Sequence, residues 1–193
     1  GLGLASFISL KIFLILVLYL FMNLLYSKWL KYVPVIDVML IAIGFVLRIL
    51  SGAIATNILL SPWIILCTFF GALFLGFGKR KSEINNLKSD SEKTRSILSF
   101  YEHNFLNQLL GLAAGITITS YTLYTIDQNT INHFQTTGLI YTIPFVVFGV
   151  CRFFQIIYTQ SAGENPTKVF LTDRPILLNT LLWILAFGLI ILF

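Results

Sequence analysis

Three cations and an acid stand together at residues 78–83, GKRKSE: Lys79, Arg80, Lys81 and Glu83. Glu83 follows Lys79 by four residues, so on a helix the two share a face. Such a group can hold a di- or polyphosphate, with Glu83 orienting a cation or a ribose hydroxyl. It can equally be the charge cluster that ends a membrane span. A second cationic group, YSKWLK at 26–31, carries Tyr26, Lys28 and Lys31. Tyr26 and Trp29 suit a membrane–water interface, where the lysines either set topology or meet an anion. Asp37 follows Pro34 in VPVIDVML, where an acid complements the start of a helix or faces a cavity. Arg48 and Arg152 fall inside apolar runs, GFVLRILSG and GVCRFFQ. An ionisable group at that depth faces a cavity or a partner, or snorkels. His103 and His133 are isolated, and the chain has no HExxH, GxSxG, Walker loop or CxxC pair.

The segments that must position these residues are apolar. Of 193 residues, 57% are hydrophobic and only 11% charged, and the mean hydropathy is +0.87. Soluble domains carry about 25% charged residues, so a soluble enzyme, a secreted disulfide scaffold and a disordered chain are all excluded. Six apolar spans run over 11–26, 35–54, 60–77, 104–125, 137–158 and 175–193. Each approaches the ~20 residues that cross a bilayer as a helix. The runs are continuous rather than alternating, which excludes a barrel, and open sheet edges cannot sit in lipid. The expected fold is an all-α integral membrane bundle, one transmembrane helical domain over 1–193. Gly44, Gly52, Gly71, Gly76, Gly111, Gly115 and Gly149 let its helices approach closely. Cys67 and Cys151 sit in separate apolar runs and read as small apolar residues.

The net charge of +5 is distributed as membrane topology requires rather than as nucleic-acid binding requires. Lys28 and Lys31, then Lys79 to Arg95, then Lys168 and Arg174 occupy alternate connections, while 55–59 and 126–136 carry no Lys or Arg. The basic connections are expected to be cytoplasmic. The longest of them, 78–103, holds a capping-box pair, Ser89 and Glu92. Thr94, Ile97, Leu98, Tyr101 and Phe105 follow at helical spacing. It reads as a loop with a short amphipathic surface helix, either a solvated connector or a cap over a site. YSKWLK, Asp37, GKRKSE, Arg95 and Arg152 then all belong near one membrane face. Residues 1–8 read as the tail of a helix already under way, so the chain is expected to lack an N-terminal part.

In order along the chain, NLLYSKWLK at 23–31, IDVMLIAIGFVLRILSGA at 36–53, SPW at 61–63 and LFLGFGKRKSE at 73–83 resemble the UbiA superfamily of membrane prenyl-group enzymes. Arg95 with Tyr101, SYTLYT at 120–125, CRFFQIIY at 151–158 and ENPTKVFLTDRP at 164–175 continue the resemblance. It implies a nine-helix bundle, of which six spans lie here, and a magnesium-binding Asn-Asp-x-x-Asp motif that this chain does not contain. Its own residues would supply no metal ligand. GKRKSE stands where ordinary prenyltransferases carry a second Asp-x-x-x-Asp loop, which favours the branch that transfers phosphoribosyl groups. The implied donor is 5-phosphoribosyl 1-diphosphate, the acceptor a polyprenyl phosphate and the cofactor Mg²⁺. Lys79, Arg80 and Glu83 would be catalytic. Tyr26, Lys28, Lys31, Asp37, Arg48, Arg95, Tyr101 and Arg152 would bind substrate. The setting would be a bacterial inner membrane with the site facing the cytoplasm, and a homo-oligomer is compatible with it. The alternatives are an aromatic prenyltransferase of the same fold and a non-enzymatic transport subunit.

Overall fold

The computed structural model describes residues 10–87, 103–159 and 166–192. Its helices are α1 (Leu10–Lys28), α2 (Ile36–Thr56), α3 (Pro62–Leu87), α4 (His103–Ile126), α5 (Gln128–Phe134), α6 (Ile143–Thr159), α7 (Pro166–Thr172) and α8 (Arg174–Leu192). Short 3₁₀ turns at Leu30–Tyr32 and Gly138–Thr142 lead into α2 and α6. No strand occurs among the described residues. Six helices are long and apolar enough to cross a membrane. The protein is a multi-pass, all-α membrane bundle, as its hydropathy pattern requires.

Successive helices pack as antiparallel neighbours, α1 on α2, α2 on α3 and α3 on α4. Helix α6 then packs on α4 and α3, and α8 on α6. One end of the bundle therefore collects the start of α2, the end of α3, the start of α4, the end of α6 and the start of α8. The apolar core lies toward that end. Val38, Phe74, Phe77, Leu106, Phe153, Ile157 and Ile176 are almost fully enclosed there. Two glycines let the helices close on each other. A β-carbon on Gly76 would strike the Val38 side chain, and one on Gly78 would lie 2.7 Å from Ile157 Cδ1. The outer helices α1 and α8 each bury a single residue, Ile12 and Ile176. Their Leu, Ile and Phe side chains face outward, as a lipid solvent allows.

Polar side chains within the spans are satisfied locally. Thr68, Thr117, Thr122 and Thr180 each donate to a carbonyl one turn back. At the opposite end, the Tyr121 hydroxyl meets Thr142 Oγ1 at 2.7 Å and accepts from Trp183 Nε1 at 3.0 Å, which ties α4, the 3₁₀ turn and α8 together.

The structure departs from the sequence expectation at the end of α3. Helix α3 does not end with its apolar run but continues to Leu87, so GKRKSE lies on a helix and not in a loop. Arg80 and Lys81 meet Asp37 and Asn107 on neighbouring helices, while Lys79 and Arg80 pair with Glu83 along α3 itself, so the backbone has no reason to break. The remainder of the expected amphipathic segment, with Ser89, Glu92, Arg95 and Tyr101, lies outside the described residues.

Candidate functional site

The site begins with the backbone before α2. Pro34 precedes Val35, whose φ of 67° is a strained value for a β-branched residue. The Asp37 amide donates to Val33 O at 3.1 Å. This turn sets the first residues of α2 against the end of α3 and leaves Asp37 wholly buried.

Asp37 Oδ2 accepts a hydrogen bond from Arg80 Nε at 2.8 Å. Arg80 Nη1 donates to Glu83 Oε2, one turn along α3, at 2.6 Å. The Arg80 side chain is only 5% exposed, Asp37 is 0% and Glu83 19%. One guanidinium therefore bridges two carboxylates from two helices. Breaking such a buried pair by removing one partner costs about 3–5 kcal/mol, because an uncompensated charge stays behind. Lys79 lies 3.9 Å from Glu83 Oε1 with its side chain 48% exposed, so it adds little to stability and remains open to a ligand.

Lys81, the third cation of GKRKSE, received no site role from the sequence. It is buried, donates to Asn107 Oδ1 at 2.6 Å and lies over the Tyr158 ring, 2.9 Å from its centre. It thereby joins α3 to α4 and α6. Its two partners, Asn107 and Tyr158, lie far along the sequence, and no local pattern announces the contact.

Arg152 is engaged by a residue the sequence reading passed over. Its Nε and Nη2 grip Asp173 Oδ1 and Oδ2 at 3.2 and 2.8 Å, and Nη1 donates to Gln155 Oε1 at 2.9 Å. Asp173 also caps α8 by accepting from the Ile176 amide at 3.0 Å. The Arg152 hydrogen bonds, and then the Ile176 amide, hold the Asp173 carboxyl below the usual carboxylate range against the burial that would raise it. An Asp immediately before Arg-Pro was the available signal for a helix cap.

The structure thus brings Lys79, Arg80, Glu83 and Asp37 together, with Arg152 paired at the same end. Tyr26 is half-buried near the end of α1, Lys28 is exposed, and Lys31 lies over the Tyr32 ring. Among the described contacts, none joins these three to Arg80 or Glu83. Arg48 is not at this end. It donates to the Tyr19 hydroxyl and stacks by the Tyr19 and Phe45 rings, on the exposed side of α2. Arg95 and Tyr101 lie outside the described residues.

An open groove of about 310 Å³ lies between α3, α6 and α8. Phe74, Gly149, Phe153, Phe170 and Trp183 line it, and its walls are almost wholly apolar. For a metal the residues fit poorly. No group of three His, Cys, Asp or Glu side chains forms among the described residues, and Arg80 holds both Asp37 and Glu83.

No family model matches the chain. Three curated proteins named decaprenyl-phosphate phosphoribosyltransferase are similar to it. The one from Corynebacterium glutamicum is 33% identical over 168 residues, 86% of this chain and 50% of that protein. Those from Mycolicibacterium smegmatis and Mycobacterium tuberculosis are each 29% identical, over 93% and 91% of this chain and 58% and 57% of theirs. The chain spans about half the length of the curated relatives it matches. It is thus a relative of the proteins named decaprenyl-phosphate phosphoribosyltransferase, similar to them over most of its own length.

Proposed function

We propose that this sequence forms part of a membrane enzyme that transfers a 5-phosphoribosyl group from phosphoribosyl diphosphate to a polyprenyl phosphate, releasing diphosphate. The observation that carries the reading is the ionic end of α3, with Lys79, Arg80 and Glu83 gathered on Asp37 beside an apolar groove. The names of its relatives support it.

In this reading the donor's anionic groups meet Lys79, with Lys28 and Lys31 as a second cation group at the same end. Arg80 is a positioning residue. Its guanidinium fixes Glu83 and the end of α3 against Asp37, so that the exposed cation is presented from a rigid turn. An oxygen of the acceptor phosphate attacks the anomeric carbon of the ribose. The bond from that carbon to the diphosphate oxygen breaks, and its electron pair leaves with the diphosphate. The attacking oxygen is already anionic, so no general base is needed. Rate enhancement rests on alignment and on neutralising the leaving group. The isoprenoid tail lies in the groove between α3, α6 and α8.

Magnesium is the cofactor the resemblance implies. The described residues do not fit it, and no step here is routed through it. The Lys/Arg alternation supports an inner-membrane protein with this end facing the cytoplasm.

The test is a product assay on membranes carrying the protein encoded by the full reading frame. Donor labelled in the ribose should place label in the lipid fraction only when polyprenyl phosphate is supplied. Transfer of a prenyl group from a prenyl diphosphate to an aromatic acceptor, with no ribose transfer, would replace this reading by the aromatic prenyltransferase.

A further inference from the structure

The turn that buries Asp37 also joins the two cation groups of this end. Val35 has φ 67° and ψ −46°, and the Ile36 amide donates to Pro34 O at 2.8 Å. A hydrogen bond across two residues with these angles closes a γ-turn of the rare, strained hand. Glycine takes a positive φ at no steric cost, yet the residue here is β-branched, for which such a φ is an outlier.

Strain of this kind persists only where the surroundings over-determine it, and several contacts do so. Pro34 has a fixed φ of its own. The Val35 side chain packs against the enclosed core. Val35 O accepts from the Met39 amide at 2.9 Å, and Val33 O from the Asp37 amide at 3.1 Å. Asp37 is in turn held by Arg80. A glycine would ease the backbone and lose the side-chain anchor, so the valine keeps the turn from drifting.

On the other side of the turn, the Tyr32 and Val33 amides donate to Trp29 O and Leu30 O, both at 3.2 Å. Lys31 precedes Val33 by two residues, at most about 7 Å of chain, and Val33 is bonded to Asp37. The γ-turn therefore fixes where Lys31 stands relative to the Asp37–Arg80 pair and, along α3, to Lys79.

We propose that Val35 is a positioning residue, whose γ-turn sets the spacing between Lys31 and Lys79 for a donor phosphorylated at both ends of a pentose. The proposal rests on the phosphoribosyl transfer proposed above. Two contacts made by one ligand reinforce each other only when their spacing is set in advance. Loosening the turn should thus weaken the donor and leave the acceptor untouched.

The test is donor and acceptor kinetics with ribose-labelled donor, on membranes carrying the protein encoded by the full reading frame. Val35→Gly should raise the donor KM about fivefold or more, with the acceptor KM unchanged. Val35→Ile, which keeps the β-branch and the anchor, should restore the donor KM. In a Lys31→Ala background, Val35→Gly should add less than about twofold, because the contact it positions is already gone. Val35→Ala, which also loses the anchor, replaces Val35→Gly if the latter does not fold. An unchanged donor KM, an equal rise in the acceptor KM, or effects of Val35→Gly and Lys31→Ala that multiply would overturn the positioning role while ribose transfer itself stands. An unaltered protein that transfers no ribose would overturn the functional reading and this proposal with it.

Discussion

Removing the Asp37 carboxylate is the sharpest perturbation of the ionic end. Asp37 is fully buried against Arg80, whose side chain is itself 5% exposed. In Asp37→Ala the guanidinium stays buried with Glu83 as its remaining carboxylate partner in the network. The loss of a buried partner costs about 3–5 kcal/mol. For a chain of this size each kcal/mol moves Tm by about 2–4 °C, so a fall of about 10 °C follows. Asp37→Asn keeps volume and one acceptor oxygen, and should lose about 2 kcal/mol, the difference made by the charge. The losses should decline with exposure of the acid or base removed. Glu83→Gln, at 19% exposed, comes next, and Lys79→Ala, at 48% exposed, should change stability by less than about 0.5 kcal/mol. The assay is thermal unfolding in detergent, with a double-mutant cycle over Asp37→Ala and Arg80→Ala. The double variant should be more stable than the sum of the two losses implies, by about 1 kcal/mol or more. Losses that simply add, or an Asp37→Ala protein with unchanged Tm, would refute the network as a source of rigidity.

Three further outcomes follow from other parts of the bundle. In a cysteine-free background, a cysteine at Asn129 should react with an impermeant label from outside intact cells, and one at Ser89 should not; the reverse pattern would invert the orientation. Gly76→Ala should destabilise by about 1–3 kcal/mol, since its methyl group meets the enclosed Val38, while Gly111→Ala, with nothing within 4 Å of its β-carbon, should be nearly silent in the same melts. Because Arg152 holds the Asp173 carboxyl low, its stabilisation is present above the unfolded carboxyl pKa, about 3.9, and is lost as pH falls through the lower folded value. Tm measured from pH 6 to pH 2 should therefore fall less steeply in Asp173→Asn, and parallel curves would contradict the pairing.

The spans were legible because lipid imposes a long, continuous apolar run on each helix, and the charges between them marked which ends share a face. The end of α3 was misjudged for the same reason. Lys79, Arg80 and Lys81 mark where the apolar run stops, yet the helix continues because Asp37, Glu83 and Asn107 satisfy those charges. Arg80 and Asp37 were both visible as unusual residues. That they pair, rather than face a ligand separately, depends on α2 and α3 lying side by side, which neither segment encodes alone. Helix α5, seven residues long and capped by Asp127, went unread because it lies in a short connection without an apolar run. Lys81 was passed over as one more charge of a cluster; its contacts come from residues 26 and 77 positions away.

The central claim is that the ionic end of α3 meets a phosphorylated donor, and Lys79 tests it most directly because removing it should leave the fold intact. The measurement is initial-rate release of diphosphate with polyprenyl phosphate held in excess and the donor varied. It compares the protein as encoded by the full reading frame with its Lys79→Ala and Lys88→Ala variants. A charge-assisted contact is worth roughly 1.5–3 kcal/mol, so Lys79→Ala should lower kcat/KM for the donor by about tenfold or more at unchanged Tm. Lys88→Ala, in the same basic segment but outside the motif, should match the unaltered protein. Equal activities for the two variants would mean that GKRKSE only anchors the helix at the membrane surface, and that the donor site lies elsewhere.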